Sequence, residues 1–318
     1  MRAVVYDRYG PPESLRVEEV PRPSPATNQV LVRVLATSVN LSDWECLRGA
    51  PLYARLGGLR APARRTLGSD VAGRVEAVGS GVTRFRVGEE VYGDNLQLKG
   101  GFAEYAVAPE EALASKPEEL TFVEASAIPQ AAAIALRATA GVAAGQRVLI
   151  NGAGGGSGSF AIQLAKRAGA HVTGVDNAGK LEFMRSLGAD QVIDYASDDF
   201  THPEQPYDLV LDLVAHRSPF ACRRALAPGG RYWCVGGPVR TLVAIMTIGS
   251  IIGGLTRRRM GVLVVPQGPR HFTPLTDLVV AGDIAIHIDR RFGLEEVPQA
   301  LRYLGEGLAL GKVVVTID

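Results

Sequence analysis

The chain has 318 residues, of which 47% are hydrophobic and 21% charged, and its formal net charge is +1. That length suits two domains of ordinary size, and the composition is that of a globular enzyme. With Lys and Arg scattered rather than clustered, nucleic acid is not expected as a partner.

Three well-separated cysteines (Cys46, Cys222 and Cys234) argue against a disulfide framework and for a reducing compartment. The first residues lack the apolar core of a signal peptide. The longest uncharged stretch, residues 241–256, contains Gly249, Gly253 and Gly254. It falls short of the roughly 17–25 apolar residues a membrane helix needs. A cytoplasmic protein with no membrane partner is expected.

In chain order, residues 1–7 start like a strand. Val30, Val32 and Val34 alternate with Leu31, Arg33 and Leu35, the period-two pattern of a strand. Residues 71–78 and 102–107 repeat it, with Gly79, Gly81, Gly88 and Gly93 marking turns. The spacing predicts a compact, partly barrel-like β domain. Residues 120–140 are alanine-rich and helical in composition, interrupted at Pro129.

Strands and helices then alternate. Strands are expected at 147–151, 171–175, 191–193, 207–212 and 231–235, the last closing the series; helices at 159–168, at 180–187 and through Arg223, Arg224 and Ala225. Such alternation of apolar strands with helices implies a parallel sheet covered on both faces. The nearly apolar segment 242–255 carries Val243, Ile245, Met246, Ile248, Ile251 and Ile252. A buried helix, a substrate-channel wall and a dimer contact all fit it, and burial within the monomer is the plain reading. The basic run Arg257, Arg258 and Arg259 reads as a solvated loop. Residues 311–318 form a strand again.

Residues 148–158 carry the chemistry. An apolar strand ends at Asn151 and runs into Gly152, Ala153, Gly154, Gly155, Gly156, Ser157 and Gly158, followed at once by the 159–168 helix. Ser157 stands where a strict G-x-G-x-x-G pattern has its last glycine; a frame through Gly152, Gly155 and Gly158 does fit. Glycines let bare backbone N–H groups approach a pyrophosphate, and the helix N-terminus favours the same anion. Between a strand and a helix, this pattern points to a bound dinucleotide. Asp176 ends the next strand at the distance where a carboxylate can bond the adenosine ribose, which favours NAD; as an alternative it caps the following helix. Lys180 either neutralises a 2′-phosphate, favouring NADP, or is a solvated lysine at a helix start.

Together with these features, several segments resemble a known family. They are 38–43 (Ser-Val-Asn-Leu-Ser-Asp), 67–73 (Leu-Gly-Ser-Asp-Val-Ala-Gly), 100–105 (Gly-Gly-Phe-Ala-Glu-Tyr), 127–131 (Ala-Ile-Pro-Gln-Ala), 187–190 (Leu-Gly-Ala-Asp), 192–195 (Val-Ile-Asp-Tyr) and 311–315 (Gly-Lys-Val-Val-Val). The chain resembles the zinc-independent medium-chain dehydrogenase/reductases, in their quinone oxidoreductase group, and within it the reticulon-interacting-protein-like members. The resemblance implies an α/β protein: a GroES-like β-rich catalytic domain (1–118 and 270–318) around a Rossmann doubly wound parallel sheet (119–269), with the active site in the cleft and, in some members, a homodimer.

It also implies the chemistry. Zinc-dependent relatives use a cysteine where Asn40 stands, a His-Glu pair where Ser69 and Asp70 stand, and a four-cysteine lobe that this chain does not have; zinc is therefore not expected. The cofactor is NADP(H) or NAD(H), and the substrate a quinone, enone or enal, reduced by hydride transfer. Asn40 lies by family position near the nicotinamide ribose and substrate, with an amide able to donate to the developing oxyanion. Asp43 orients Asn40 or a water; alternatively both cap a turn. Tyr53 is the candidate proton donor, against a plain loop aromatic. Gln130 opens the cleft-lining helix, and Ile134 replaces a threonine that touches the nicotinamide in many relatives. Tyr195 matches a position near the adenosine, or packs on the sheet. Asn177 and Gly179 depart from the residues usual around a 2′-phosphate. Gly236 and Gly237 are placed in a nicotinamide-side loop. Other functions left open are a zinc-independent alcohol dehydrogenase and a non-catalytic dinucleotide-binding regulator.

Overall fold

The structure, a computed structural model, describes residues 1–249, 251–253 and 256–318. The chain divides into two compact units, Met1–Ala133 with Pro266–Asp318, and Ile134–Val265.

The first unit is built on an antiparallel sheet. Strand β1 (Arg2–Val5) pairs with β2 (Arg16–Glu19). The eleven-residue β3 (Gln29–Val39) is the spine; its period-two valines Val30, Val32 and Val34 lie in the core. It is followed by helix α1 (Leu41–Arg48), then β4 (Asp70–Val78), β5 (Glu90–Asp94), β6 (Tyr105–Pro109) and β7 (Leu113–Ser115). Strand β3 pairs with β4 and β6, β4 with β5, and β5 with β7. The β4–β5 register sets Asp70 opposite Asp94. Helices α2 (Phe122–Ser126) and α3 (Pro129–Thr139) follow. The interruption expected at Pro129 is a restart, because Pro suits the first turn of a helix.

The second unit holds a six-stranded, all-parallel sheet: β8 (Arg147–Asn151), β9 (His171–Asp176), β10 (Gln191–Asp194), β11 (Tyr207–Asp212), β12 (Leu226–Cys234) and β13 (Arg259–Val262). Their order is β10-β9-β8-β11-β12-β13. Counted from β8 this is 3-2-1-4-5-6, the doubly wound order that puts a ligand site where the strand order reverses, between β8 and β11. Helix α4 (Gly156–Arg167) covers β8 and β9 with buried Phe160, Ile162 and Ala165.

Three expectations need correction. The series does not close at β12. Arg259 opens a sixth strand, while Arg257 and Arg258 lie in the loop before it, where the Arg258 guanidinium is not solvated but donates to the Leu226 carbonyl at 3.0 Å. Helix α4 starts at Gly156 rather than Ser159, since glycine and serine tolerate a helical first turn. The apolar segment is not buried on all sides. It forms a helix over Val239–Ala244 and a π-turn over Ile245–Gly249, and the helical period sends Val243, Met246 and Ile251 outward while Ile245 points in. Ser250, Gly254 and Leu255 of that segment lie outside the described residues.

The tail returns to the first sheet. Strands β14 (Ile288–Gly293) and β15 (Lys312–Thr316) pair in parallel, and β15 lies antiparallel on β3 with Val313 opposite Val39. The sequence reading had not assigned β14. Among the described residues, no helix is long and apolar enough to cross a membrane.

Candidate functional site

Each unit carries one site. In the second unit, β8 runs into the glycine turn. Gly152 adopts φ +82°, the left-handed region that favours glycine. The amides of Gly152 and Ala153 both donate to the Val175 carbonyl, at 2.9 and 3.1 Å, which ties the turn to β9. At Gly158 a Cβ would lie 2.5 Å from the carbonyl oxygens of both Gly152 and Ala153. Only glycine lets α4 pack this closely against the turn. Gly155 is the N-cap of α4, so Gly156, Ser157 and Gly158 occupy its first turn, where N–H groups lack intrahelical acceptors. The N–H groups of Gly156, Ser157 and Gly158, at a helix N-terminus with no side chain larger than serine, fit a dinucleotide diphosphate.

Asp176 closes the turn. Its Oδ2 accepts the Gly154 amide at 3.0 Å and its Oδ1 the Asn177 amide at 2.9 Å. Lys180 Nζ lies 3.4 Å from Oδ1, with both side chains almost fully covered. The solvated reading of Lys180 is therefore corrected: its stem packs over Gly154 and its ammonium faces Asp176. Asn177, not Asp176, caps the following turn, accepting from the Gly179 amide at 3.1 Å. The Tyr195 amide donates to the Asp176 carbonyl, while its ring is exposed rather than packed on the sheet. Gly236 and Gly237 follow β12 with φ +69° and +109°.

Sequence reasoning missed Asp212, which is fully buried at the end of β11. It accepts from Asn151 Nδ2 at 2.8 Å, from the Val214 and Ala215 amides, and from the Tyr232 hydroxyl at 2.8 Å. This carboxylate fixes the ends of β8 and β11 where the strand order reverses. The signal was an acidic residue ending an otherwise apolar strand.

The first unit gathers the other candidates around Asn40, the buried N-cap of α1. Asn40 Nδ2 donates to Ser69 Oγ at 3.1 Å and to Asp70 Oδ2 at 2.8 Å, while its Oδ1 accepts from Lys312 Nζ at 2.7 Å. Every polar atom of this amide is thus engaged within the protein, and the ammonium fixes which way it faces. The Asn40 backbone N–H donates to Asp43 Oδ2 at 3.1 Å. Asp43, fully buried, also accepts from the Gly68 amide and Ser69 Oγ, and Lys99 Nζ stands 3.6 Å away. Asp70 accepts from Ser38 Oγ at 2.7 Å and from the Gln130 amide at 3.1 Å, with Lys312 Nζ at 3.7 Å. Ser42 Oγ donates to Gln130 Oε1 at 3.1 Å, and Tyr53 OH donates to Glu45 Oε1 at 2.8 Å.

Asp43, Asp70 and Asp94, which lies opposite Asp70, share this cluster with Lys99 and Lys312. Burial pushes Asp70 up, opposed chiefly by the charge of Lys312; burial pushes Lys312 down, opposed by Asp70 and then Asp43. Asp94 rises to about 7, first from burial and then from the Asp70 charge beside it. Burial likewise raises Glu45, and the Tyr53 hydrogen bond opposes it. Lys312, Lys99 and Asp94 were not singled out from sequence. A lone lysine opening a strand with three valines behind it was the available signal for Lys312.

Asn40, Ser69 and Asp70 do come together, at the positions where the resemblance set a zinc ligand set. They do not fit zinc: the amide turns N–H groups inward and the remaining place is held by an ammonium, which repels a metal cation. No group of three or more potential metal-ligating His, Cys, Asp or Glu occurs among the described residues.

The family model for the alcohol dehydrogenase GroES-like domain matches residues 26–118, and that for the zinc-binding dehydrogenase matches residues 187–315. The chain is 32% identical to the chloroplast envelope quinone oxidoreductase homolog of Arabidopsis thaliana, over 99% of this chain and 98% of the relative. It is also 32% identical to the mitochondrial NAD(P)H oxidoreductase RTN4IP1 of Homo sapiens, over 100% of this chain and 89% of the relative. The solved quinone oxidoreductase from Coxiella burnetii matches with a TM-score of 0.90 at 31% identity, covering 100% of this chain and 99% of that one.

Proposed function

The chain belongs to the quinone oxidoreductase group of the medium-chain dehydrogenase/reductases, and from that premise we propose that it is an NAD(P)H-dependent reductase of quinones or α,β-unsaturated carbonyls that works without zinc. The observation that carries the reading is the Gly152–Gly158 turn, whose last glycine admits no side chain. The residues holding the dinucleotide are Gly152, Gly154, Gly155, Gly156, Ser157 and Gly158 at the diphosphate, with Asp176, Asn177, Lys180 and Tyr195 toward the adenosine, and Gly236 and Gly237 toward the nicotinamide. When bound, the nicotinamide supplies the hydride.

The chain's own residues set the rest. Lys180 already neutralises Asp176, so the pair presents no net negative charge to a 2′-phosphate, and both coenzymes are accommodated. Asn40 works as the keystone of a fixed charge array rather than as a free donor: Lys312 and Asp70 hold it, and Asp43 anchors its backbone. Tyr53 supplies the proton that accompanies the hydride, and Glu45, its hydrogen-bond partner, returns one from solvent. Residence in a reducing compartment such as the cytoplasm, and a homodimer formed on the exposed Val243, Met246 and Ile251 face, belong to the same proposal.

The test is oxidation of NADPH and NADH by the purified protein against quinones, enals and simple ketones. Turnover with quinones or enals supports the reading. Turnover with simple ketones alone points to an alcohol dehydrogenase, and coenzyme binding without any turnover to a regulator.

A further inference from the structure

Residues 46–69 contain five arginines (Arg48, Arg55, Arg60, Arg64 and Arg65) and not one acidic side chain. Within this stretch Leu52, Leu56 and Leu59 are 70%, 86% and 76% exposed, and Leu56 is the most exposed large hydrophobic residue among those described. Isolated exposed leucines are ordinary; three within eight residues on a basic loop are not. Their exposure is built in rather than left over. Tyr9 OH donates to the Gly58 carbonyl at 2.5 Å, and Arg55 Nε donates to the Gly49 carbonyl at 2.8 Å while its guanidinium lies over the Tyr9 ring. Loop backbone and Arg55 are thereby pinned inward, leaving the three leucines facing solvent. Arg65 is spent on Asp7 and Glu18. Exposed Arg60 and Arg64 make no ion pair among the described residues, and Arg60 directly follows Leu59 in the chain.

We propose that residues 52–64 seat this protein on an anionic lipid surface. Apolar side chains beside free guanidiniums are the two components of interfacial binding: the leucines enter the acyl boundary and the arginines meet lipid phosphates. The lack of a spanning helix does not oppose this, because surface contact needs none. Resting on the quinone-reductase reading, the substrate class narrows to quinones dissolved in the lipid. The charge argument favours lipid over an acidic protein, since a soluble acidic partner leaves the leucines without an apolar counterpart.

The experiment is co-sedimentation of the full-length protein with vesicles of phosphatidylglycerol and phosphatidylcholine, and with phosphatidylcholine alone. Binding is expected to the anionic vesicles only. Replacing Arg60 and Arg64 by Gln lowers it roughly 30-fold, at about 1 kcal/mol per charge near such a surface. Leu56→Ser with Leu59→Ser lowers it more than about tenfold. Turnover of a short-chain soluble quinone, measured on the same samples, is expected to stay unchanged in both variants. No sedimentation of the wild type overturns the proposal. So does sedimentation that the leucine changes leave intact, with equal binding to polyglutamate, which marks a generic polyanion site. A raised KM for the soluble quinone in the leucine variants, without vesicle binding, shows a substrate wall and overturns it too. Sedimentation needs no turnover, so failure of the reductase reading is read separately.

Discussion

Lys312→Met tests the charge array most sharply. The substitution keeps the aliphatic stem and removes an ammonium that is buried, 2.7 Å from Asn40 Oδ1 and 3.7 Å from Asp70 Oδ2. Breaking a buried ion pair by deleting one partner costs about 3–5 kcal/mol. The low end applies here, for two reasons. Asp70 keeps its bonds from Ser38, Asn40 and Gln130, and burial has already raised its affinity for a proton, so it takes one up rather than remain charged and unpaired. About 3 kcal/mol corresponds to a fall in Tm of roughly 6–12 °C for a domain of this size. The assay is calorimetric unfolding at neutral pH, with Lys312→Arg as the control that keeps the charge. The deficit is expected to shrink as pH falls, because protonation of Asp70 removes the uncompensated charge. A Lys312→Met protein melting within about 2 °C of wild type would refute the reasoning, since that is under 1 kcal/mol.

Other outcomes follow from the same geometry. Because the folded state holds a proton on Asp94 up to about pH 7 that the unfolded chain releases near its ordinary value of 3.8, wild-type stability should fall as pH rises from about 4 to about 7 and level off above. Asp94→Asn should flatten that slope, which denaturant titrations across the pH range would register as a change of up to about 4 kcal/mol. Tyr53→Phe should lower kcat by roughly a hundredfold with coenzyme Kd unchanged, measured by steady-state kinetics beside fluorescence titration; an unchanged kcat removes Tyr53 from proton transfer. Lys180→Met bares the Asp176 carboxylate and should weaken NADPH relative to NADH about tenfold, equivalent to 1.4 kcal/mol.

How much of this was legible in the residues differs between the two sites. The glycine turn reads directly, because its strand, turn and helix are contiguous and Gly152 and Gly158 each have a local steric reason. The β3 valines and the apolar runs of β8, β9 and β11 read equally well, since burial on one or both faces writes itself into the period. Strand β13 did not, because four residues opening on arginine carry too little pattern, and pairing with β12 is what makes them a strand. The array around Asn40 was half legible. Resemblance pointed to Asn40, Asp43 and the Ser69–Asp70 pair, but Lys312 reaches Asn40 across 272 positions of sequence, a meeting only the return of β15 creates. Lys180 misled because a lysine at a helix start is usually solvated; here the glycine turn offers a groove for its stem and Asp176 a counter-charge. The apolar stretch after β12 misled in the opposite sense, as composition cannot say which half of a helix faces out.

The central claim is that a dinucleotide diphosphate rests on the backbone between Gly152 and Gly158. Equilibrium titration of NADPH and NADH against wild type and Gly158→Val measures it directly. Binding of at least one coenzyme by wild type, and none by a folded Gly158→Val protein whose melting remains cooperative, is the predicted result. A Gly158→Val protein that binds coenzyme as tightly as wild type would contradict the account.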